Sequence, residues 1–181
     1  MNANFPNCLE LLLINEGGYQ DDPRDMGNRL SDGRSGATNL GVTQAVMEEW
    51  LHHPVTNSYM RNLTPANVAP IYKRKYWDAC RADELMAGLD YVVFDTAVNS
   101  GPGRSIKMLQ TCVGTVPDGG FGSVTMAAVS QFKGDSLRTI INEFCDSRAD
   151  YLRTLKLFPI YGKGWLHRVE KVRAQALEMV S

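Results

Sequence analysis

Glu16 has the setting in this chain that most invites chemistry. It follows the apolar run Leu11-Leu12-Leu13-Ile14 and precedes Gly17-Gly18, so a helix should deliver one carboxyl group to its own end. Asn7 with Glu10 three residues on has capping-box spacing and predicts where that helix starts. The glycine pair predicts where it stops, in the left-handed backbone favoured just past a helix C-terminus. A carboxyl group in the last turn faces carbonyls that lack intrahelical partners. The negative end of the helix dipole and the apolar neighbours both favour its protonated form, the form a general acid must carry. The plainer reading is a solvated acid before a helix stop, and on residue types alone that reading is the commoner one.

Two polar stretches follow, Asp22-Pro23-Arg24-Asp25-Met26-Gly27 and Ala37-Thr38-Asn39-Leu40-Gly41-Val42-Thr43. Together with Glu16-Gly17-Gly18-Tyr19 they resemble the opening of the glycoside hydrolase family 108 N-acetylmuramidases, lysozyme-like and mainly helical enzymes of phages and bacteria. The resemblance continues through Ile71-Tyr72-Lys73-Arg74-Lys75-Tyr76-Trp77-Asp78, then Val93-Phe94-Asp95-Thr96-Ala97-Val98-Asn99-Ser100-Gly101-Pro102-Gly103, and Gly162-Lys163-Gly164-Trp165. Asn28 to Ser35 depart from it, as an insertion ahead of Gly36-Ala37-Thr38-Asn39.

The resemblance implies a peptidoglycan hydrolase that cleaves the bond between N-acetylmuramic acid and N-acetylglucosamine. Such cleavage needs a proton for the leaving oxygen and a stabilised, partly positive sugar ring, commonly from two carboxyl groups across the bond. Glu16 is then the acid. Asp25 is the candidate second group, orienting a water or steadying the ring, with Asp22 as runner-up; either could equally cap a turn. Thr43 falls where phage-type lysozymes keep a cleft threonine, and it reads equally as a helix N-cap. Candidate sugar contacts are Tyr19, Tyr76, Trp77 and Asn99. Tyr19, Tyr76 and Trp77 could instead be core, and Asn99 could instead satisfy a helix end. The reaction uses water alone and implies no cofactor. A lytic transglycosylase and a non-catalytic wall-binding or secretion-helper protein are the competing readings.

The elements that must position these residues are helical. Thr43 leads into a helix with Val46, Met47, Trp50 and Leu51 at helical spacing, ended by His52-His53-Pro54. Thr64-Pro65 starts another that should run toward Trp77, kinked or split at Pro70. Asp90 could cap a helix through Val93, Phe94, Ala97 and Val98. Asn99 to Gly103 ends it and starts one with Ile106, Leu109, Cys112 and Val113 inward. Pro117 to Gly122 is a turn-rich loop before a helix of Val124, Ala127, Ala128 and Phe132. Leu137 through Leu155 is the clearest amphipathic stretch and is predicted as the central helix. Pro159 to Gly164 should break the chain before a terminal helix. Leu40 to Val42 offers at most a scrap of strand. The predicted fold is mainly α, a lysozyme-like two-lobed helical domain with room for a small β-hairpin near the cleft. Residues 1–88 form the catalytic lobe. Residues 89–181 form a helical lobe resembling a peptidoglycan-binding module, packed on the first as one globular unit.

Composition bounds the rest. With 181 residues, 44% hydrophobic, the chain can bury a sizeable core in one domain. A net charge of -1 argues against nucleic acid, which demands a basic face. Cys8, Cys80, Cys112 and Cys145 are far apart and lack metal-ligand spacing, so they read as free thiols and no metal is expected. No signal peptide and no apolar run near the roughly 18 residues of a membrane span is visible. The expectation is therefore a monomer made in the cytoplasm that reaches the cell wall through a membrane hole-forming partner (a holin) or an export machinery.

Overall fold

The computed structural model describes residues 4–180 and divides them between two compact units, Leu9–Lys73 and Met1–Cys8 with Arg74–Ser181. This division differs from the expected one after residue 88. The stretch from Asp83 to Gly88, read as a connection between lobes, lies inside the second unit, and the chain passes between units at Cys8–Leu9 and Lys73–Arg74. Among the described residues there are nine α-helices and one two-stranded sheet, so the mainly α expectation holds, small hairpin included.

Helix α1 spans Phe5–Leu13, starting three residues earlier than an N-cap at Asn7 predicts. Pro6 needs no amide partner in a first turn, so the helix can begin ahead of Asn7. Asn7 sits inside the helix and its side chain reaches back to Asn4 Oδ1 at 3.3 Å. Past Leu13 the coil tightens: the amides of Asn15 and Glu16 donate to the carbonyls of Leu12 and Leu13 at 2.9 and 3.2 Å, a three-residue spacing. Glu16 thus lies in a bend beyond the helix. The ending needs no left-handed residue, and neither Gly17 nor Gly18 has a positive φ.

In the Leu9–Lys73 unit, residues 17–37 are largely irregular, with a 3₁₀ turn at Met26–Asn28. The Asn28–Ser35 segment folds on itself. Leu30 N–H donates to Arg34 O at 3.1 Å, Arg29 and Ser35 pair, and Leu30 is buried. Strands β1 (Thr38–Asn39) and β2 (Val42–Thr43) pair antiparallel, Thr38 opposite Thr43 and Asn39 opposite Val42. The two connecting residues both take positive φ, Leu40 at 49° and Gly41 at 71°, as a tight primed turn requires. Helix α2 (Gln44–Leu51) follows at once, capped by Thr43. Helices α3 (Asn57–Arg61) and α4 (Pro65–Tyr72) complete the unit around Leu12, Met47, Met60, Val68 and Ile71. Buried Asn39 ties the hairpin to α3 by donating to the Met60 carbonyl at 2.9 Å. Pro70 is tolerated within α4, but the helix ends at Tyr72 and widens into a π turn over Lys73–Trp77.

In the second unit α5 (Leu89–Ser100) is buried on every side from Leu89 to Ala97. It packs against α6 (Pro102–Cys112), and α7 (Ser123–Val129) precedes α8 (Asp135–Arg153) and α9 (Phe158–Glu178). The predicted central helix is corrected here: α8 has the expected apolar stripe, yet α5 is the one enclosed. Gly88 holds the N-cap of α5, and Asp90 accepts the Gly88 and Tyr91 amides from within the first turn at 2.9 and 2.7 Å. In α7 the inward residues are Thr125 and Val129, and Val124 is exposed.

The predicted break at Pro159–Gly164 does not occur. Pro159 occupies the first turn of α9, where a missing amide costs nothing. Gly162 is buried because the Phe158 ring closes over it, 2.6 Å from where a Cβ would stand. Phe5, Trp77 and Phe94 meet edge to face at 5.3 to 5.9 Å. All four cysteines are free thiols, three buried and Cys112 half-buried.

Candidate active site

The hairpin turn is the floor on which Glu16 rests. A methyl group built on Gly41 would stand 3.0 Å from Glu16 Oε2 and overlap the Tyr72 hydroxyl. That hydroxyl donates to the Leu40 carbonyl at 3.0 Å, so Tyr72 pins the turn from α4. Glu16 is half-buried. Its reach to the turn thus depends on a glycine that no side chain could replace without moving one of the two groups.

Asp25 and Thr43 both lie close to Gly27. Asp25 Oδ1 accepts the Gly27 amide at 2.8 Å, and a Cβ on Gly27 would lie 3.5 Å from the Thr43 methyl. Asp25 Oδ2 accepts from Gln20 Nε2 at 2.7 Å. Both oxygens are thus oriented by a donor, and each keeps a lone-pair site for a further hydrogen such as that of water. Thr43 Oγ1 accepts the Val46 amide at 3.3 Å, so it is the N-cap the sequence offered, and its hydroxyl hydrogen is left to donate. Asp22 is engaged differently. Its carboxylate takes the Arg24 guanidinium at 2.7 Å and the Arg24 amide at 2.9 Å, and the Arg24 side chain holds it below the usual carboxylate range.

Residues the sequence reading missed position these groups. Gln20 exchanges both backbone hydrogen bonds with Thr38, at 2.9 and 2.8 Å, which ties the segment carrying Asp25 to β1. Its side-chain oxygen accepts from buried Asn28 Nδ2 at 2.7 Å, and Asn28 Oδ1 accepts from the Thr38 hydroxyl at 2.9 Å. The available signal was a run of polar residues with few apolar ones, which must satisfy one another when buried. Elsewhere in the unit, Glu48 is held by Arg34 at 2.8 Å, and that bond lowers its pKa to about 2.

Of the candidate sugar contacts, Tyr19 belongs to this unit. Its ring carries the Arg61 guanidinium 4.3 Å from the centroid, and its hydroxyl donates to Asp21 Oδ2 at 3.0 Å. One ring face is therefore covered. Trp77 is corrected to core: it is wholly buried, with its indole N–H donated to Asp83 at 2.8 Å. Tyr76 is half-buried on the π turn of the second unit. Asn99 is exposed at the end of α5, where its side chain donates to the Asp95 carbonyl at 2.9 Å. Among the described residues no grouping of His, Cys, Asp and Glu could hold a metal ion, and no helix is long and apolar enough to cross a membrane.

The chain is mainly helical with one short hairpin, and comparison with known proteins supplies its class. The glycosyl hydrolase 108 family model matches residues 9–101, and the chain belongs to that family of enzymes acting on peptidoglycan. Among solved structures it is similar to the one titled "Structure of Brucella abortus SagA", 38% identical over 99% of this chain and 97% of that one, with a TM-score of 0.79. A search of curated proteins finds no match.

Proposed function

We propose that this peptidoglycan hydrolase is an N-acetylmuramidase, cleaving the glycosidic bond from N-acetylmuramic acid to N-acetylglucosamine with Glu16 as general acid. Glu16 gives its proton to the leaving sugar oxygen as the bond to the anomeric carbon breaks, and water adds to that carbon, releasing one proton that restores Glu16 to its acid form through solvent. Asp25 orients that water or steadies the charge on the ring. Thr43 offers its hydroxyl to the same water, and the open face of Tyr19 takes a sugar ring. Tyr76 and Asn99 remain candidate substrate contacts on the second unit. The observation that carries the reading is the shared hairpin: its turn seats Glu16, and its second strand brings Thr43 beside the anchored Asp25. Delivery to the wall would fall to a hole-forming partner or an export route.

A lytic transglycosylase would need Glu16 but no activated water, and the doubly anchored Asp25 favours hydrolysis. Digesting purified wall and weighing the fragments tests both points. Hydrolysis adds the mass of one water to each product pair, whereas an anhydro end identifies the transglycosylase. Glu16→Gln should abolish release while circular dichroism stays unchanged. Wall clearance by the variant at the parent's rate overturns the assignment of Glu16 and leaves the non-catalytic reading.

A further inference from the structure

The start of α9 is apolar on two sides. Inward lie Gly162, Val169, Val172 and Ala176, all buried. Outward, Leu157, Ile160 and Tyr161 keep 50%, 70% and 53% of their surfaces in water. Spaced three and four residues from Leu157, these side chains are neighbours on one face. Gly164, four residues after Ile160, continues that stripe and leaves it open, since a Cβ there would meet nothing within 4 Å. Half-buried Phe158 and Trp165 extend the surface, with the Tyr161 and Trp165 ring centroids 5.9 Å apart. Single exposed apolar residues are ordinary. A contiguous set on a helix whose other side already meets the core marks a surface that something covers.

The charge around this face has one sign. From Tyr151 to Val169 the chain carries no Asp or Glu, but it carries Arg153, Lys156, Lys163 and Arg168. Arg153 bonds Asp150 at 2.7 Å. Arg168 turns to wholly buried Asp95 of α5 at 2.8 Å, where Arg148 of α8 joins it at 2.7 Å. Lys156 and Lys163 differ: both are exposed and, among the described residues, neither forms an ion pair. They stand four residues before and three after Ile160, on the border of the apolar stripe.

We propose that this face seats on an anionic phospholipid surface, lying in the headgroup layer without crossing it. Leu157 and Ile160 enter the edge of the acyl region, and the two lysines meet the lipid phosphates. Tyr161 and Trp165, each an apolar ring with a polar tip, suit the boundary between the two. A sugar chain fits this face less well. Aliphatic Leu157 and Ile160 offer no ring to stack on, and the Tyr161 and Trp165 planes are tilted by 30°, so they form no flat shelf. The attachment is peripheral, since no described helix is long and apolar enough to cross a membrane.

Flotation of the full chain with large unilamellar vesicles tests this, using phosphatidylcholine alone and an equal mixture with phosphatidylglycerol. The mixed vesicles should bind roughly tenfold more tightly than the neutral ones, and salt should weaken that binding. Lys156→Gln and Lys163→Gln should each weaken it about fivefold, the worth of one lysine near such a surface. Ile160→Glu should weaken it roughly tenfold or more. These side chains are exposed, so circular dichroism and the urea midpoint should stay at parental values. Equal binding to both vesicles overturns the anionic assignment. Parental binding by folded Ile160→Glu overturns this face as the contact. Absence of binding to the mixed vesicles overturns the proposal. Binding to purified peptidoglycan that Ile160→Glu abolishes would then assign the face to glycan, and a dimer in sedimentation that the same variant dissolves would assign it to a second copy. Flotation reads no hydrolysis, so Glu16→Gln should float as the parent does, and failure of the acid is distinguishable from failure here.

Discussion

Gly41→Ala is the substitution that most directly tests how Glu16 is held. Gly41 has φ 71°, a region that costs a side-chain-bearing residue about 1–2 kcal/mol. The new methyl would also overlap the Tyr72 hydroxyl and crowd Glu16 Oε2 at 3.0 Å. If the hydroxyl yields, its bond to the Leu40 carbonyl is lost, worth about 0.5–1.5 kcal/mol net. The expected destabilisation is therefore roughly 1.5–3.5 kcal/mol, below the total stability of an ordinary domain, so the variant should fold. If the carboxyl yields instead, a displacement on the order of 1 Å is enough to cost about a hundredfold in turnover. Urea unfolding and dye release from labelled peptidoglycan separate the two responses. Adding Tyr72→Phe removes the atom that the methyl strikes, so the double variant should be less impaired than the sum of the single variants. Strict additivity, or a Gly41→Ala enzyme with parental stability and turnover, would show that this contact does not position the acid.

Gln20→Leu should lower kcat at least tenfold with little change in KM, because it frees one oxygen of Asp25 while leaving both backbone bonds to Thr38 in place; steady-state kinetics on soluble glycan fragments would show it. Stability should depend on pH with two opposing contributions. The Glu48 pKa is lowered by the Arg34 bond to about 2, so its contribution is present above the ordinary carboxylate range and is lost as pH falls toward 2. The Asp90 pKa is raised by burial to about 6, so its contribution is complete below about 4 and is lost as pH rises through 6. Denaturant midpoints across pH 2 to 7 should lose the acid-side slope in Glu48→Gln and the slope between 4 and 6 in Asp90→Asn. Asp95→Asn, which leaves two buried guanidiniums without their counter-charge, should cost about 3–5 kcal/mol in the same urea assay.

Helical spacing carried most of the architecture because burial of one face is a local, periodic demand. It located α2, α4, α6 and α8 within a few residues, and Thr43 and Thr64 marked starts by cap chemistry. It failed where tertiary packing outweighed local preference. Pro159, Gly162 and Gly164 each argue for a break when taken singly, yet a proline in a first turn is harmless and Phe158 needs the space at Gly162. Asp95 shows the same limit, since its two arginine partners lie 53 and 73 residues further on and no spacing rule links them. The candidate site divides along this line. The place of Glu16 just past an apolar helix was legible to within a turn, and so was Thr43 as the cap of α2. What holds them was not: Gln20, Asn28 and Tyr72 act through single hydrogen bonds to groups on other segments, which leave no period in the sequence. The hairpin follows from the same physics. Two-residue strands are too short to alternate visibly, and Leu40 is a poor residue for a positive φ. That position is tolerable because Tyr72 takes the Leu40 carbonyl and Gly41 makes room, so a local strain is stabilised by the contacts that seat the acid.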